Sequence, residues 1–138
     1  MSLTFIDTNV FVYAYDADAG DKHVRAKAVL RDCWETESGA LSTQVMQEFY
    51  VTVTRKLSKT ISKQAAREVV QTYEAWPVYH PAVEDIIAAS ELEEQHSLSF
   101  WDALIVVSAQ KSGAAALVSE DLQDGRQIGS LKITNPFK

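Results

Sequence analysis

At 138 residues, with 46% hydrophobic and 23% charged side chains, the chain has one domain's length and a folded composition, which excludes disordered and collagen-like proteins. Its net charge of −6 argues against general affinity for nucleic acid and leaves such contacts to local clusters, such as Arg55-Lys56 with Lys59 and Lys63. No apolar run approaches the roughly 20 residues that span a membrane, and a lone cysteine, Cys33, cannot form an internal disulfide. Met1 leads into a strand-like run without a basic n-region, so the expected location is the cytoplasm.

Residues 3–6, Leu-Thr-Phe-Ile, read as a short buried strand, and Thr8–Tyr15 as the helix after it. Asp16–Asp21 has the Asp and Gly content of a loop. Val24, Ala28, Leu30, Cys33 and Trp34 give rough helical spacing over Lys22–Thr36. Gly39–Ser42 is a second strand, and Ser42 or Thr43 caps a helix to about Leu57 with Val45, Phe49, Val53 and Leu57 on one stripe. Ser62 caps a helix to about Ala75, and Pro77–His80 is a third strand. Residues 82–96 form a helix bearing Val83, Ile86, Ile87 and Leu92, and Ser99–Ser112 a helix stopped by Gly113. Ala115–Ser119 and Leu131–Thr134 supply the fourth and fifth strands. Short apolar strands alternating with helices predict an α/β protein, with helices on both faces of a parallel sheet and one domain over residues 1–138.

Four acids end or follow apolar runs: Asp7, Glu48, Asp102 and Asp121. In an open parallel sheet, ligands gather at the carboxyl ends of the strands, where Asp7 and Asp121 fall. Glu48 and Asp102 lie in the first turns of helices within reach of that edge. Each has a structural alternative. Asp7 is placed to cap its helix, Asp102 completes a Ser99-x-x-Asp102 capping box, and Asp121 precedes a turn. Glu48 sits beside an apolar stripe, where a carboxylate is costly unless paired or bound to a metal. Together they point elsewhere, because two unit charges 4 Å apart repel by about 4 kcal/mol at an effective dielectric of 20. Such a set recruits hard divalent cations, Mg²⁺ or Mn²⁺, and these activate water against phosphodiesters. Thr8, Asn9 and Ser119 are placed to orient the carboxylates. Asp124 competes with Asp121, which lies nearer the strand end and is favoured. Glu120 is expected to point away. His23, His80 and His96 lack the spacing of a zinc helix, and no Gly-rich phosphate loop occurs.

The ordered set Phe5-Ile6-Asp7-Thr8-Asn9, Gln47-Glu48-Phe49, Phe100-Trp101-Asp102-Ala103-Leu104 and Leu117-Val118-Ser119-Glu120-Asp121 resembles the PIN-domain ribonucleases, most of all the VapC toxins of bacterial type II toxin–antitoxin systems. The resemblance implies a three-layer α/β/α sandwich with a central parallel sheet. It also implies Mg²⁺ or Mn²⁺ at Asp7, Glu48, Asp102 and Asp121, and cleavage of RNA. Its further implications are a homodimer and a cognate antitoxin. Two other readings are a catalytically silent binding module of the same fold and a haloacid-dehalogenase-type phosphohydrolase. The latter needs an Asp where this chain has Asn9.

Overall fold

The computed structural model describes residues 2–138. Its first strand, β1 (Leu3–Ile6), is the centre of the sheet. Phe5 and Ile6 point to opposite faces yet are both fully buried, so both faces are covered. β2 (Gly39–Ser42) pairs with β1 in parallel, Phe5 opposite Ala40, and β3 (Val78–Tyr79) extends that side. On the other side β4 (Ala114–Val118) pairs with β1, Ile6 opposite Val118. β6 (Leu131–Thr134) follows in parallel, and the order is β3-β2-β1-β4-β6-β5. The molecule is an α/β/α sandwich with a mostly parallel sheet. One expectation fails: the edge strand β5 (Gln127–Ile128) runs antiparallel to β6, through a pairing of Ile128 with Leu131. Gly129 turns that corner with φ of 62°, a conformation open to glycine.

α1 (Thr8–Ala14) packs against α2 (Asp21–Thr36) and α3 (Thr43–Val51), and α4 (Lys63–Tyr73) against α3. Between α1 and α2 the expected loop includes a 3₁₀ turn at Ala17–Ala19. α3 starts where Ser42 Oγ accepts the Val45 N–H at 3.3 Å. The expected helix does continue past Val51, but as a wider π turn over Thr52–Lys56. Phe11, Trp34, Tyr73 and Trp76 form one aromatic cluster, Tyr73 and Trp76 meeting edge to face at 4.8 Å. Trp76 lies so close to β2 that a Cβ on Gly39 would sit 2.5 Å from its ring.

α6 (Phe100–Lys111) is buried from Ala103 through Ala109 and packs on β2 and β4 with α5 (Val83–His96) beside it. An apolar helix buried all round needs no amphipathic stripe. In α5, Ala89 faces inward, while Val83 (74% exposed), Ile86 (49%) and Ile87 (59%) face outward. The inward face also holds the buried Asp85, which accepts from the Ala82 N–H (2.8 Å) and the Tyr79 hydroxyl (2.5 Å). These two donors, with Lys111 nearby, hold its carboxyl below the usual range. Among the described residues no helix is long and apolar enough to cross a membrane.

Candidate active site at the carboxyl edge of the sheet

Because Ile6 and Val118 are neighbours, the residues that follow them leave the sheet side by side. This is where the strand order reverses, with β2 on one side of β1 and β4 on the other. The Asp7 N–H donates to the Val118 carbonyl at 3.0 Å. Asp7 is buried; its Oδ1 accepts the Thr8 N–H and its Oδ2 the Ser119 hydroxyl, both at 2.7 Å. Ser119 Oγ in turn accepts the Asp121 N–H at 3.2 Å. Asn9 bridges to the same loop, its Nδ2 donating to Asp121 Oδ2 (3.0 Å) and its Oδ1 accepting the Glu120 N–H (3.2 Å).

Thr8 links this group to α3, since its hydroxyl donates to Glu48 Oε1 at 2.6 Å. The other Glu48 oxygen accepts from Gln44 Nε2 at 3.2 Å, and the same amide nitrogen lies 3.3 Å from the Trp101 carbonyl. Gln44 therefore ties α3 to the start of α6, where the half-buried Asp102 stands. The capping box expected there is only half formed. Ser99 Oγ accepts the Asp102 N–H at 3.1 Å, but among the described residues no bond returns from the Ser99 N–H to the Asp102 carboxylate. That carboxylate is left for the rim.

Electrostatics show that the four acids share one neighbourhood. Burial pushes the Asp7 carboxyl up to about 7; the bonds from Ser119 and Thr8 oppose this, and the charges of Asp121 and Glu48 add to it. Asp102 is also raised, first by burial and then by Asp121 and Glu48, with Ser99 opposing. Among the described residues the ion pairs are Lys22 with Glu120 and Lys111 with Asp85, so no basic side chain neutralises the rim. Nor do any three His, Cys, Asp or Glu side chains among them form a closed coordination group. Such a donor set still fits a hard ion that keeps most of its waters and takes one or two protein carboxylates, as Mg²⁺ does.

The neighbouring polar residues are occupied elsewhere. Asp124 accepts the Asn135 N–H at 2.8 Å and so holds the C-terminal segment, while Asp121 sits with Asn9 and Ser119. Glu120 points away to Lys22 and the Tyr13 hydroxyl. The His23 ring meets the Tyr13 carbonyl, and the buried Cys33 thiol is raised by burial. Sequence reading overlooked Gln44, although its spacing of four from Glu48 on one helix is the signal that would have found it. Its Oε1 is buried and, among the described residues, has no hydrogen-bond partner.

The sequence matches the PIN domain family over residues 4–124. A search of curated proteins gave no match. Among solved structures the chain is similar to a toxin–antitoxin complex from Klebsiella pneumoniae, with 16% identity, a TM-score of 0.68, and 96% of this chain and 97% of that one covered. It is similar too to VapC20 of Mycobacterium tuberculosis, a toxin that cleaves the sarcin–ricin loop (20% identity, TM-score 0.63, 83% and 86% covered). A third is the DNA-bound VapBC of Salmonella typhimurium (16% identity, TM-score 0.66, 99% of each chain). At these identities the likeness is one of fold.

Proposed function

This chain belongs to the PIN-domain family, and on that premise we propose that it is a metal-dependent endoribonuclease, cleaving single-stranded or structured RNA, and the toxin of a toxin–antitoxin pair. One observation carries the reading. Four carboxylates share the carboxyl edge without a basic partner, and the buried one, Asp7, is raised to about 7. A phosphodiester would be repelled from such an edge unless cations intervened. Asp7, Glu48, Asp102 and Asp121 would hold Mg²⁺ or Mn²⁺. A divalent ion supplies charge neutralisation for the phosphate and a water nucleophile at neutral pH.

The chain's own residues set the geometry. Ser119 and the Thr8 N–H hold both oxygens of Asp7, Asn9 holds Asp121, and the Thr8 hydroxyl with Gln44 holds Glu48. Thr8 thus couples the acid on β1 to the acid on α3. Without a cation the Asp7 carboxyl would carry a proton about half the time near pH 7. Cation binding would release it, so metal affinity should fall as the solution is acidified.

Restraint would come from a cognate antitoxin, in the cytoplasm. An arginine inserted at the rim would pair with these carboxylates in a bidentate way and compete with the cation. A groove of about 440 Å³, lined by Met46, Tyr50, Val51 and Val70, is suited to an amphipathic helix of that partner. The outward Val83, Ile86 and Ile87 favour a homodimer. The experiment is cleavage of a mixed RNA pool by the purified protein in Mg²⁺, in Mn²⁺ and in EDTA, with the ends identified. Cleavage only with a divalent ion, leaving 5′-phosphate and 3′-hydroxyl ends, is expected. Undiminished cleavage in EDTA, or 2′,3′-cyclic phosphates, would overturn the mechanism.

A further inference from the structure

We propose that the hollow beside Glu48 seats one unpaired nucleobase of the RNA strand, stacked on Trp101, with Lys56 meeting an adjacent phosphate. The proposal rests on the ribonuclease reading above and names the part of the substrate held next to the acidic edge.

The hollow measures about 350 Å³, inside the range of roughly 300–1,000 Å³ typical of small-ligand sites. Gln44, Gln47, Glu48, Val51, Thr52, Lys56 and Trp101 line it. It shares Glu48 with the acidic edge, and Trp101 directly precedes Asp102. A strand whose phosphate lay at the acids would therefore have a neighbouring base within reach.

Trp101 is 62% exposed, an unusual state for so large an apolar side chain, whereas Trp76 is buried in the core. The backbone beneath the indole is fixed, the Trp101 carbonyl accepting from Gln44, and the ring itself meets Phe100 edge to face at 5.2 Å. Because the same Gln44 amide donates to Glu48, the aromatic platform and the acidic edge are braced together. A braced, exposed ring loses little entropy when a flat partner stacks on it.

The lining suits a nucleotide, which needs an apolar face to stack on and polar groups at its rim. Most of the exposed lining is apolar, while Gln44, Thr52 and Lys56 add amide, hydroxyl and ammonium groups. Among the described residues Lys56 has no ion-pair partner, and Arg55 precedes it on the π turn that forms this wall. On a chain of net charge −6, the Lys56 ammonium on the wall of this hollow gives a phosphate a place to rest. Aromatic stacking accepts any base but only an unpaired one, so the seat would select single-stranded or looped RNA without selecting sequence.

Two measurements test this. In the first, tryptophan emission is followed while a ten-nucleotide single strand with hydrolysis-resistant phosphorothioate linkages is added in Mg²⁺. The single strand should quench the wild type, the duplex of the same strand should not, and Trp101→Phe should lose that component. Lys56→Ala should bind more weakly, with the gap closing as salt is raised. In the second, Trp101→Ala should raise KM for single-stranded RNA roughly ten- to a hundredfold, the loss expected for one stacked base, with kcat little changed. Trp101→Phe, which keeps a stacking face, should stay near wild type and serves if the alanine variant folds poorly. Equal quenching by duplex, or wild-type KM in Trp101→Ala, overturns the base seat. So does a Trp101→Ala variant that loses its protein inhibitor but not its RNA affinity, which would assign the indole to a protein interface. If the wild type cleaves no RNA in either metal, the ribonuclease reading falls instead, and the quenching measurement still decides the seat.

Discussion

Replacing Asp7 with Asn should make the metal-free protein more stable while abolishing its activity. Asn keeps a side-chain oxygen for the Thr8 N–H and is itself a good N-cap, so α1 should start normally. The substitution removes a buried charge. The Asp7 carboxyl rises from 3.8 to about 7 on folding, a shift of roughly 3 units, which at about 1.36 kcal/mol per unit is a ceiling of about 4 kcal/mol. The Ser119 hydroxyl must turn to meet the new NH₂ while still accepting from Asp121, so about 2 kcal/mol, or about 6 °C in Tm, is the expected gain at pH 8 in EDTA. The sign with pH follows. Between about pH 4 and pH 7 the folded protein holds a proton that the unfolded chain has lost, so wild-type stability falls as pH rises through that window. Asp7→Asn should lack this slope and match the wild type near pH 4. Mn²⁺ should then stabilise the wild type more than the variant. Urea melts at pH 4, 6 and 8, with and without Mn²⁺, make the measurement. A variant less stable than wild type at pH 8 in EDTA, or a flat wild-type profile, would refute the reasoning.

Asp102→Asn, with the Ser99 cap on its N–H intact, should cost RNA cleavage orders of magnitude while Tm holds or rises; retained cleavage with a lowered Tm would make Asp102 only structural. Gly39→Ala should destabilise by about 1–3 kcal/mol in a urea melt, because its Cβ meets the packed Trp76 ring. Co-expression with the product of the adjoining reading frame should yield a complex whose inhibition of cleavage weakens as Mn²⁺ is raised. An inhibition indifferent to Mn²⁺ would place the inhibitor away from the acids.

Much of the fold was legible because its signals are local. Ser42, Ser62 and Ser99 each cap the helix that their sequences announce, and Gly113 ends α6 with a φ of 79°. β5 was not legible, since two residues carry no periodicity and its pairing depends on β6. In α5 the apolar residues Val83, Ile86 and Ile87 suggest a core face, yet the core side is given to small Ala89 and to the polar Asp85, whose partners come from another strand and another helix. The four acids could be proposed from the sequence, because each ends or follows an apolar run. The bracing by Gln44 joins residues 57 positions apart and involves a backbone carbonyl, which no side-chain pattern records. The exposure of Trp101 was hidden too, because α6 is apolar almost throughout and offers no stripe from which an outward residue departs.

The pairing of β1 with β4 sets the order in which the acidic edge can be assembled. Asp7 is made more than a hundred residues before the strand that completes its surroundings, and Ser119 bonds to it across a separation of 112. Until then the growing chain holds Asp7 and Glu48 without Asp121, and Asp7 has neither the Val118 carbonyl nor the Ser119 hydroxyl to fix it. A chain stalled at mid-length, or clipped before β4, would therefore be inert. The edge would be completed late, when β4 and the loop after it dock beside β1.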